Sequence, residues 1–288
     1  MNILNIINGF IASKLATLSP KFVLNLAYFH HRGKFPNLKN PSNLSEIWIS
    51  KLLGGEFNKY FFLADKYEVR NYVKQRGLDD ILTPLIAVYE KSTDVEYNDL
   101  PLKFALKANW GAGMNLICTN KFDLHPEFIK NIIDKWLNSP LCIFTESHYN
   151  LIKRKIVCED FIDDGNGGFP IDYKFICLKG NPYCVLVCSG REKGKADYIP
   201  YDMSFNAKLD FCIDKHDASE FIGKPSNFDK MVSIASILSS GLDLVRVDLY
   251  SDGTRIWFGE MTLTPDGCIF RRWTDKAINE MGHFYLSN

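Results

Sequence analysis

The segments VRVDLY (residues 245–250) and FGEMTLT (residues 258–264) decide the fold of this chain, and Ser251-Asp252-Gly253 leads from the first towards the second. Apolar and polar residues alternate in the first segment, as in a β-strand with one buried face. Asp-Gly between two such segments is typical of a β-hairpin. A loop with an odd number of residues places Asp248 and Glu260 on one face, whereas a two-residue loop places them on opposite faces. We therefore predict a hairpin with an odd loop.

Two carboxylates on one face of a hairpin indicate a metal site. Held about 7–8 Å apart or closer across a strand pair, they repel each other unless a cation lies between them. Hard oxygen ligands suit Mg²⁺ or Mn²⁺. The hairpin alone also fits an ordinary surface element, since acidic residues are common on exposed strand faces. Other segments must decide between these interpretations.

The composition is that of an ordinary globular protein. The chain has 288 residues, enough for one large domain or for two to three lobes, with 46% hydrophobic and 24% charged residues. Its 34 basic residues balance its 34 acidic ones, so the overall charge implies no broad electrostatic attraction to nucleic acid or to a membrane, and nucleic acid is not predicted as a partner. A local basic pocket for a small anion remains compatible with this balance.

The cysteines and the N-terminus favour a cytoplasmic protein. None of the eight cysteines forms a C-x-x-C pair, and most lie in apolar strand-like segments as reduced thiols. The first ten residues lack a basic region, and no apolar segment is long enough to cross a bilayer. Residues Ile3 to Leu18 fit an amphipathic helix, which we expect to pack on its own domain. Peripheral attachment to the inner face of the membrane is left open.

The segment DKYEVRNYVKQRG (residues 65–77) predicts a helix with clear ends. Asp65 fits the N-cap, Glu68 the capping-box partner and Gly77 the position just past the end. Lys66 then lies in the first turn, where an anion is favoured. Two later helices are predicted at about 126–137 and 228–240.

A glycine loop follows the strand predicted at 103–107. Gly111 and Gly113 lie between this strand and the apolar residues 116–118. Glycines let a backbone approach phosphate oxygens closely, and Lys107 can supply positive charge. The loop is not a Walker A motif, and taken alone it also fits a plain turn beside a surface lysine.

The order of these motifs along the chain resembles that of the ATP-grasp superfamily. It is most similar to the branch typified by teichuronopeptide biosynthesis proteins (TupA-like). The resemblance rests on NLKNP (37–41), the Asp65-Lys66 helix, P-x-K-F-x-x-K (101–107), the strand-like segments 156–162 and P-x-D-Y-K-F (170–175), R-x-D (246–248) and G-E-x-T (259–262).

The resemblance implies an α+β fold in which two α+β lobes clasp ATP, with a short helical N-terminal region. The implied divisions are a mainly helical region at 1–100, a small lobe with the glycine loop at 101–162, and a large lobe with the metal-binding hairpin at 163–288.

The resemblance also implies a role for each matching residue. Lys66 and Lys107 would contact the nucleotide phosphates, with Gly111 and Gly113 closing over them. Lys174 would approach the terminal phosphate, and Arg246 would stabilise the transferred phosphoryl group. The adenine hinge would be Glu159, Asp160, Phe161 and Ile162, and the ligands of Mg²⁺ (or Mn²⁺) would be Asp248, Glu260 and Thr262. Many ATP-grasp members have Asn where this chain has Thr262, a shorter oxygen donor.

The implied chemistry is amide formation between a carboxylate and an amine through an acyl phosphate. No Ser-His-Asp or Cys-His arrangement stands out in the sequence. The TupA-like branch implies an acidic sugar or glycan precursor, such as a uronic acid, joined to an amine or amino acid in capsule, O-antigen or other surface polysaccharide biosynthesis. The basic residues that could bind the acidic substrate are Arg191, Lys193, Lys195, Arg271 and Arg272. Of these, Arg191 and Arg271 are the chosen candidates, and an ordinary solvated loop is the alternative.

Three alternatives remain open at this stage. A glycosyltransferase of polysaccharide biosynthesis could use Asp163-Asp164 to hold a metal on a nucleotide sugar. A small-molecule kinase could use the same ATP site as a ligase. A non-catalytic ATP-binding module would fit the short first lobe and Thr262.

Overall fold

Two antiparallel β-sheets organise the chain. The computed structural model describes residues 19–140, 145–163, 168–190, 196–216 and 220–288. The α-helices of this part are α1 (Pro20–Arg32), α2 (Leu44–Leu53), α3 (Phe61–Ala64), α4 (Val69–Gln75), α5 (Pro126–Leu137), α6 (Phe228–Ser239) and α7 (Asp275–Ser287). The strands are β1 (Leu85–Tyr89), β2 (Phe104–Ala108), β3 (Asn115–Cys118), β4 (Ile156–Asp160), β5 (Ile171–Leu178), β6 (Asn181–Ser189), β7 (Asp197–Tyr201), β8 (Leu244–Ser251) and β9 (Ile256–Thr262). The amphipathic helix predicted for Ile3 to Leu18 lies outside the described residues.

The first sheet has four strands in the order β1-β4-β2-β3. Strand β2 lies where the sequence predicts it, to within one residue, and the glycine loop connects it to β3. Lys107 on β2 pairs with Asn115 on β3 and with Val157 on β4. This sheet therefore fixes Lys107 and both ends of the glycine loop. Strand β1 joins the sheet from the N-terminal third of the chain.

The second sheet has five strands in the order β7-β6-β5-β8-β9. One face is apolar and packs on α6, where the Phe175 and Phe228 rings lie 6.0 Å apart. Val245, Val247 and Leu249 on this face are completely buried. Because side chains alternate along a strand, the charged residues of β5, β8 and β9 all lie on the opposite face.

The hairpin between β8 and β9 differs from the prediction in its loop. Ser251 pairs with Ile256, so the loop has the four residues 252–255, and the prediction of an odd loop is wrong. Asp248 nevertheless pairs directly with Glu260, because the register shifts after Asp248 and Leu249 pairs with Phe258. One extra residue on β9, Gly259, forms a β-bulge. The bulge therefore places Asp248 and Glu260 on one face, which is the effect that we assigned to an odd loop.

The Asp65 helix begins later than predicted. The Asp65 carboxylate accepts hydrogen bonds from the backbone N–H groups of Tyr67 (2.8 Å) and Glu68 (3.2 Å), but this capped turn precedes α4, which starts at Val69. The Glu68 side chain lies near Lys155 and Asn71. Gly77 ends the segment with φ of +73°, as predicted.

The N-terminal helices pack against the C-terminal part of the chain. The indole N–H of Trp48 on α2 donates to the carbonyl oxygen of Leu263 at 2.6 Å. Arg32 at the end of α1 donates to the carbonyl oxygens of Ile269, Phe270 and Trp273. These contacts anchor the segment that follows the β8–β9 hairpin.

Two further predictions can be compared with the structure. The seven cysteines in the described ranges are free thiols and are buried. Among the described helices, none combines the length and the apolar character that a membrane span requires.

Candidate active site

Five charged side chains form a cluster on the open face of the second sheet. Asp172 and Lys174 lie on β5, Arg246 and Asp248 on β8, and Glu260 on β9. The register places Lys174 beside Asp248, and Asp248 beside Glu260. Strand alternation and pairing therefore bring together residues that are up to 88 positions apart in sequence.

Asp248 is the centre of this cluster. One carboxylate oxygen lies 2.6 Å from Lys174 Nζ, and the other lies 2.6 Å from Arg246 Nε. Arg246 also reaches Glu260 at 3.0 Å, and Lys174 reaches Asp172 at 2.7 Å. The side chain of Asp248 is 1% exposed, so these contacts are screened little by water.

The charges of the cluster set its protonation. Burial alone would raise the pKa of Asp248, but the charges of Arg246 and Lys174 outweigh it and hold the pKa below its ordinary value. Burial alone would lower the pKa of Lys174, but Asp248 and Asp172 raise it above the ordinary lysine value. Asp248 and Glu260 raise the pKa of Arg246 above its ordinary value in the same way. All three groups are therefore charged at neutral pH.

The cluster has a donor set that suits a hard divalent cation. Asp172, Asp248 and Glu260 supply three carboxylates against the two cations Lys174 and Arg246, which leaves an excess of one negative charge. Thr262 donates to Glu260 at 3.2 Å and adds a hydroxyl oxygen beside it. Oxygen ligands of this kind fit Mg²⁺ or Mn²⁺. Thr262 thus lies within hydrogen-bond distance of one of the three carboxylates.

A charged cleft of about 220 Å³ opens above the cluster, between the two sheets. It is lined by Lys66, Arg70, Lys107, Gly111, Ala112, Gly113, Met114, Asn115, Glu159, Asp172, Lys174, Tyr250, Phe258, Gly259 and Glu260. The structure therefore brings both predicted phosphate lysines, both loop glycines and Lys174 to one cleft. This arrangement suits an anion such as a polyphosphate.

Lys66 and the glycine loop meet at the wall of this cleft. The Lys66 ammonium donates to the carbonyl oxygen of Gly111 at 2.9 Å. Burial lowers the pKa of Lys66, and the charge of Glu260 offsets this only in part. Gly111 and Gly113 have φ of +67° and +77°, a conformation that favours glycine. The backbone conformation of the loop thus favours glycine at these two positions.

Glu159, the first of the four residues predicted for the adenine hinge, lines the charged cleft. Its carboxylate lies 2.7 Å from Lys107 Nζ and 2.7 Å from an Arg70 guanidinium nitrogen. The side chain therefore faces the charged cleft, where it fixes Lys107. Arg70 was not identified from the sequence, because a lone arginine on a helix gives no signal of its role.

An apolar pocket of about 240 Å³ adjoins the charged cleft. Its lining residues are Ala105, Lys107, Asn115, Ile117, Asp160, Phe161, Ile162, Phe169, Pro170 and Tyr250. Three predicted hinge residues are therefore in this pocket, and Lys107, Asn115 and Tyr250 line both spaces. A flat apolar ring in the pocket would lie next to a charged group in the cleft.

A third cavity, of about 190 Å³, meets the cluster at Lys174 and Arg246. It is lined by Lys174, Ile176, Leu186, Tyr198, Arg246, Pro265, Asp266, Phe270, Arg272 and Trp273. Arg271 is not part of this lining, and its backbone N–H donates to Asp266. Arg191 lies outside the described residues.

Sequence reasoning missed Asp172 as a site residue. Asp172 alternates with Lys174 along β5, and this spacing could have assigned it to the same face. Arg272 was one of five basic residues considered for the acidic substrate, but Arg271 was chosen instead. Nothing in the sequence distinguishes it from Arg271, since their directions depend on the fold around them.

A Cys-His contact lies outside these three spaces. Cys212 Sγ is 3.3 Å from His216 Nε2, and His216 Nδ1 is 2.7 Å from Glu220. Burial raises the pKa of the Cys212 thiol, so it is protonated at neutral pH. Of the acidic pair Asp163-Asp164, Asp163 binds Lys103 at 3.2 Å, and Asp164 lies outside the described residues.

Several solved structures are similar to this one. The L-amino acid ligase from Bacillus licheniformis is 15% identical with a TM-score of 0.43, over 69% of this chain and 42% of the ligase. The D-alanine–D-alanine ligase from Helicobacter pylori is 12% identical with a TM-score of 0.45, over 78% and 58%. The ATP-grasp ligase PsnB, complexed with a precursor variant, Mg and ADP, is 11% identical with a TM-score of 0.44, over 83% and 61%. This chain thus spans between 42% and 61% of the length of these proteins.

Sequence comparison gives a family. No curated protein matches the chain. The family described as TupA-like ATPgrasp matches residues 46–283, which include all three spaces and the charged cluster. The chain therefore belongs to the TupA-like ATP-grasp family, as its motifs predict.

Proposed function

We propose that this chain is an ATP-dependent carboxylate–amine ligase that forms an amide through an acyl phosphate. The observation that carries the proposal is the position of Lys174. It lines both the charged cleft and the third cavity, so it stands between a space suited to phosphates and a space open to a second substrate. Phosphoryl transfer requires such positioning and charge neutralisation more than a side-chain nucleophile.

The apolar pocket and the charged cleft would hold ATP. The adenine ring would lie among Ala105, Ile117 and Phe161, and the phosphates would extend towards Lys66 and Lys107. Asp248 and Glu260, with Asp172 and Thr262 beside them, would hold Mg²⁺ (or Mn²⁺), which supplies charge neutralisation at the phosphates.

Lys174 and Arg246 would act on the transferred group. A carboxylate oxygen of the substrate attacks the γ-phosphorus of ATP, a new O–P bond forms, and the bond to ADP breaks. Lys174 and Arg246 then lie beside the phosphoryl oxygens whose charge they neutralise. An amine next attacks the acyl carbon, the C–N bond forms, and phosphate leaves while the amine loses a proton.

The substrates are proposed from the family resemblance. The TupA-like branch suggests an acidic sugar or glycan precursor, such as a uronic acid, and an amine or amino acid. The product would belong to a surface polysaccharide. A cytoplasmic location is part of this proposal, because the described cysteines are free thiols.

Calorimetry with a non-hydrolysable ATP analogue and Mg²⁺ tests the nucleotide site. We expect micromolar binding that Lys107→Ala and Asp248→Asn each weaken at least tenfold, or about 1.4 kcal/mol. Lys153→Ala is a matched control, since Lys153 binds Glu90 on the surface and its side chain is 72% exposed. Asp248→Asn leaves Arg246 and Lys174 without their shared partner, so thermal unfolding must confirm that this variant folds.

Hydroxylamine trapping tests the reaction. An acyl phosphate gives a hydroxamate with hydroxylamine, so carboxylate-dependent hydroxamate together with ADP supports a ligase. ADP without hydroxamate would instead support a kinase with the same ATP site. No binding of the ATP analogue to the wild type would contradict the proposal, and release of nucleoside diphosphate from UDP-sugars would then support a glycosyltransferase.

A further inference from the structure

The third cavity is lined by three cations in two groups. Lys174 and Arg246 belong to the charged cluster, and Arg272 does not. The rest of the lining is mainly apolar and aromatic and includes Tyr198, Phe270 and Trp273. A molecule that fills the cavity would therefore meet positive charge at two places.

The inner cations are already balanced by acids of the protein. Lys174 binds Asp172 and Asp248, and Arg246 binds Asp248 and Glu260. These groups serve the transferred phosphoryl group in the proposed reaction. Preference for one substrate over another must therefore come from the rest of the cavity.

Arg272 is balanced much less completely. It reaches Asp214 at 3.3 Å, and the side chains are 45% and 54% exposed. Ion pairs this exposed contribute little to stability, so a substrate anion can replace Asp214 at small cost. Asp214 is not part of the lining, and the acid that is, Asp266, accepts a hydrogen bond from the backbone of Arg271 and lies 3.7 Å from its guanidinium.

The guanidinium of Arg272 is held in a fixed orientation. Its central carbon lies 3.9 Å from the centroid of the Tyr198 ring. A guanidinium stacked on an aromatic ring keeps its N–H donors at its edge, where they match carboxylate or phosphate oxygens. The side chain is thus arranged to bind an anion.

The backbone around Arg272 is fixed as well. Its carbonyl oxygen accepts from Ile213 N–H at 3.0 Å, and Trp273 pairs with Cys212. Arg32, whose side chain is 3% exposed, donates to the carbonyl oxygens of Phe270 and Trp273 at 2.6 Å and 2.8 Å. A preformed wall of this kind is typical of a binding site.

We propose that the carboxylate substrate carries a second anionic group, a carboxylate or a phosphate, and that Arg272 binds it. The inference rests on the proposed ligase function. The carboxylate to be activated would lie at Lys174, the body of the substrate would lie against Tyr198, Phe270 and Trp273, and the second anion would replace Asp214 at Arg272. Arg272 is then a specificity-determining residue.

Two matched pairs of probes test this proposal. L-Glutamate and L-glutamine differ in one carboxylate, and D-glucuronate 1-phosphate and D-glucuronate differ in one phosphate. Hydroxamate formation with Mg-ATP and hydroxylamine gives KM for each. We expect the wild type to show a KM at least tenfold lower for the compound of one pair that carries two anionic groups, with kcat little changed.

Arg272→Gln should abolish this preference by raising KM for the compound with two anionic groups about tenfold. Arg76→Gln is the matched control, since Arg76 also lies over a tyrosine ring, that of Tyr72 at 4.8 Å, but lines none of the three spaces, and it should keep the preference. Arg272→Lys should lie between, because it keeps the charge and loses the stacked planar group. Arg272→Lys also tests the proposal if Arg272→Gln does not fold.

Two results would overturn the inference while leaving the ligase function intact. One is hydroxamate formation in the wild type without preference for the compound with two anionic groups in either pair. The other is a preference that Arg272→Gln retains. No hydroxamate from any of the four probes would instead count against the ligase function and the inference together. Calorimetric binding of the ATP analogue then shows whether the nucleotide site itself survives.

Discussion

The backbone carbonyl oxygen of Asp248 lies only 2.8 Å from the position that a Cβ atom on Gly259 would occupy. Gly259 is the extra residue of the bulge in β9, and the bulge brings Glu260 opposite Asp248. The absence of a side chain at residue 259 therefore allows the close approach of the two strands. It also allows the two carboxylates of the proposed metal site to share one face.

Gly259→Ala should weaken Mg²⁺-dependent nucleotide binding. A Cβ 2.8 Å from a backbone oxygen must displace one of the strands, and loss of the bulge would turn Glu260 to the other face. We expect affinity for the Mg²⁺-bound ATP analogue to fall at least tenfold, and the free energy of unfolding to fall by about 1–3 kcal/mol. Calorimetry and urea unfolding measure these two effects.

Gly223→Ala is the matched control for this change. A Cβ at Gly223 meets nothing within 4 Å, so the free energy of unfolding should stay within about 0.5 kcal/mol of the wild type. Wild-type affinity in Gly259→Ala would show that the bulge does not position Glu260.

Ala105→Leu should separate binding of the base from binding of the phosphates. Ala105 lies on β2, is 5% exposed, and lines the apolar pocket but not the charged cleft. Leucine would fill space that the adenine ring needs, so we expect the affinity for the ATP analogue to fall at least tenfold. Affinity for tripolyphosphate, which has no base, should stay unchanged. Equal losses for both ligands would contradict the assignment of the two spaces.

The parts of the site that could be predicted from sequence are those that local rules determine. Strand alternation places Asp248 among charged neighbours on β8, and the positive φ of Gly111 and Gly113 requires glycine. Helix α5 begins at a proline and shows apolar spacing, and its predicted bounds match the structure. Each of these signals lies within a dozen residues of sequence.

The parts that sequence could not give depend on contacts between distant segments. The prediction that Asp248 and Glu260 share one face is correct, but an odd loop is the wrong explanation for it. Gly259 gives no signal of a bulge without its partner Asp248. Arg70 binds Glu159 across 89 positions, and Arg272 faces Tyr198 across 74. Only the packed fold distinguishes these arginines from neighbours of the same type.

Lys66 should make nucleotide affinity sensitive to alkaline pH. Burial lowers the pKa of Lys66 below its ordinary value, and the protonated ammonium is the form that attracts phosphate. Affinity should therefore be full below this lowered pKa and fall as pH rises through it. Lys66→Arg should remove the fall, since arginine stays charged. Calorimetry between about pH 7 and 10 covers the interval below the ordinary lysine value.

Lys153→Arg is the control for this pH series, because Lys153 lies on the surface with Glu90. It should show the same fall in affinity as the wild type. An identical fall in Lys66→Arg would assign the pH dependence to another group.

His148 should make the fold itself sensitive to mild acid. Its ring is fully buried, and in the described part of the chain neither ring nitrogen has a hydrogen-bond partner. Burial lowers the pKa of His148 from 6.5 to about 4. Between these values the unfolded chain binds a proton that the folded chain does not, so stability falls as pH decreases from 6.5 to about 4.

The full shift corresponds to about 3 kcal/mol, at about 1.4 kcal/mol for each pH unit. His148→Phe removes the titrating group and the two unpaired nitrogens, so it should lose this part of the pH dependence and be at least as stable as the wild type near pH 7. Urea unfolding at a series of pH values measures the difference. His283→Phe changes an exposed histidine on α7 and should keep the wild-type slope. An equal slope in His148→Phe would contradict this prediction, because it would show that folding does not lower the pKa of His148.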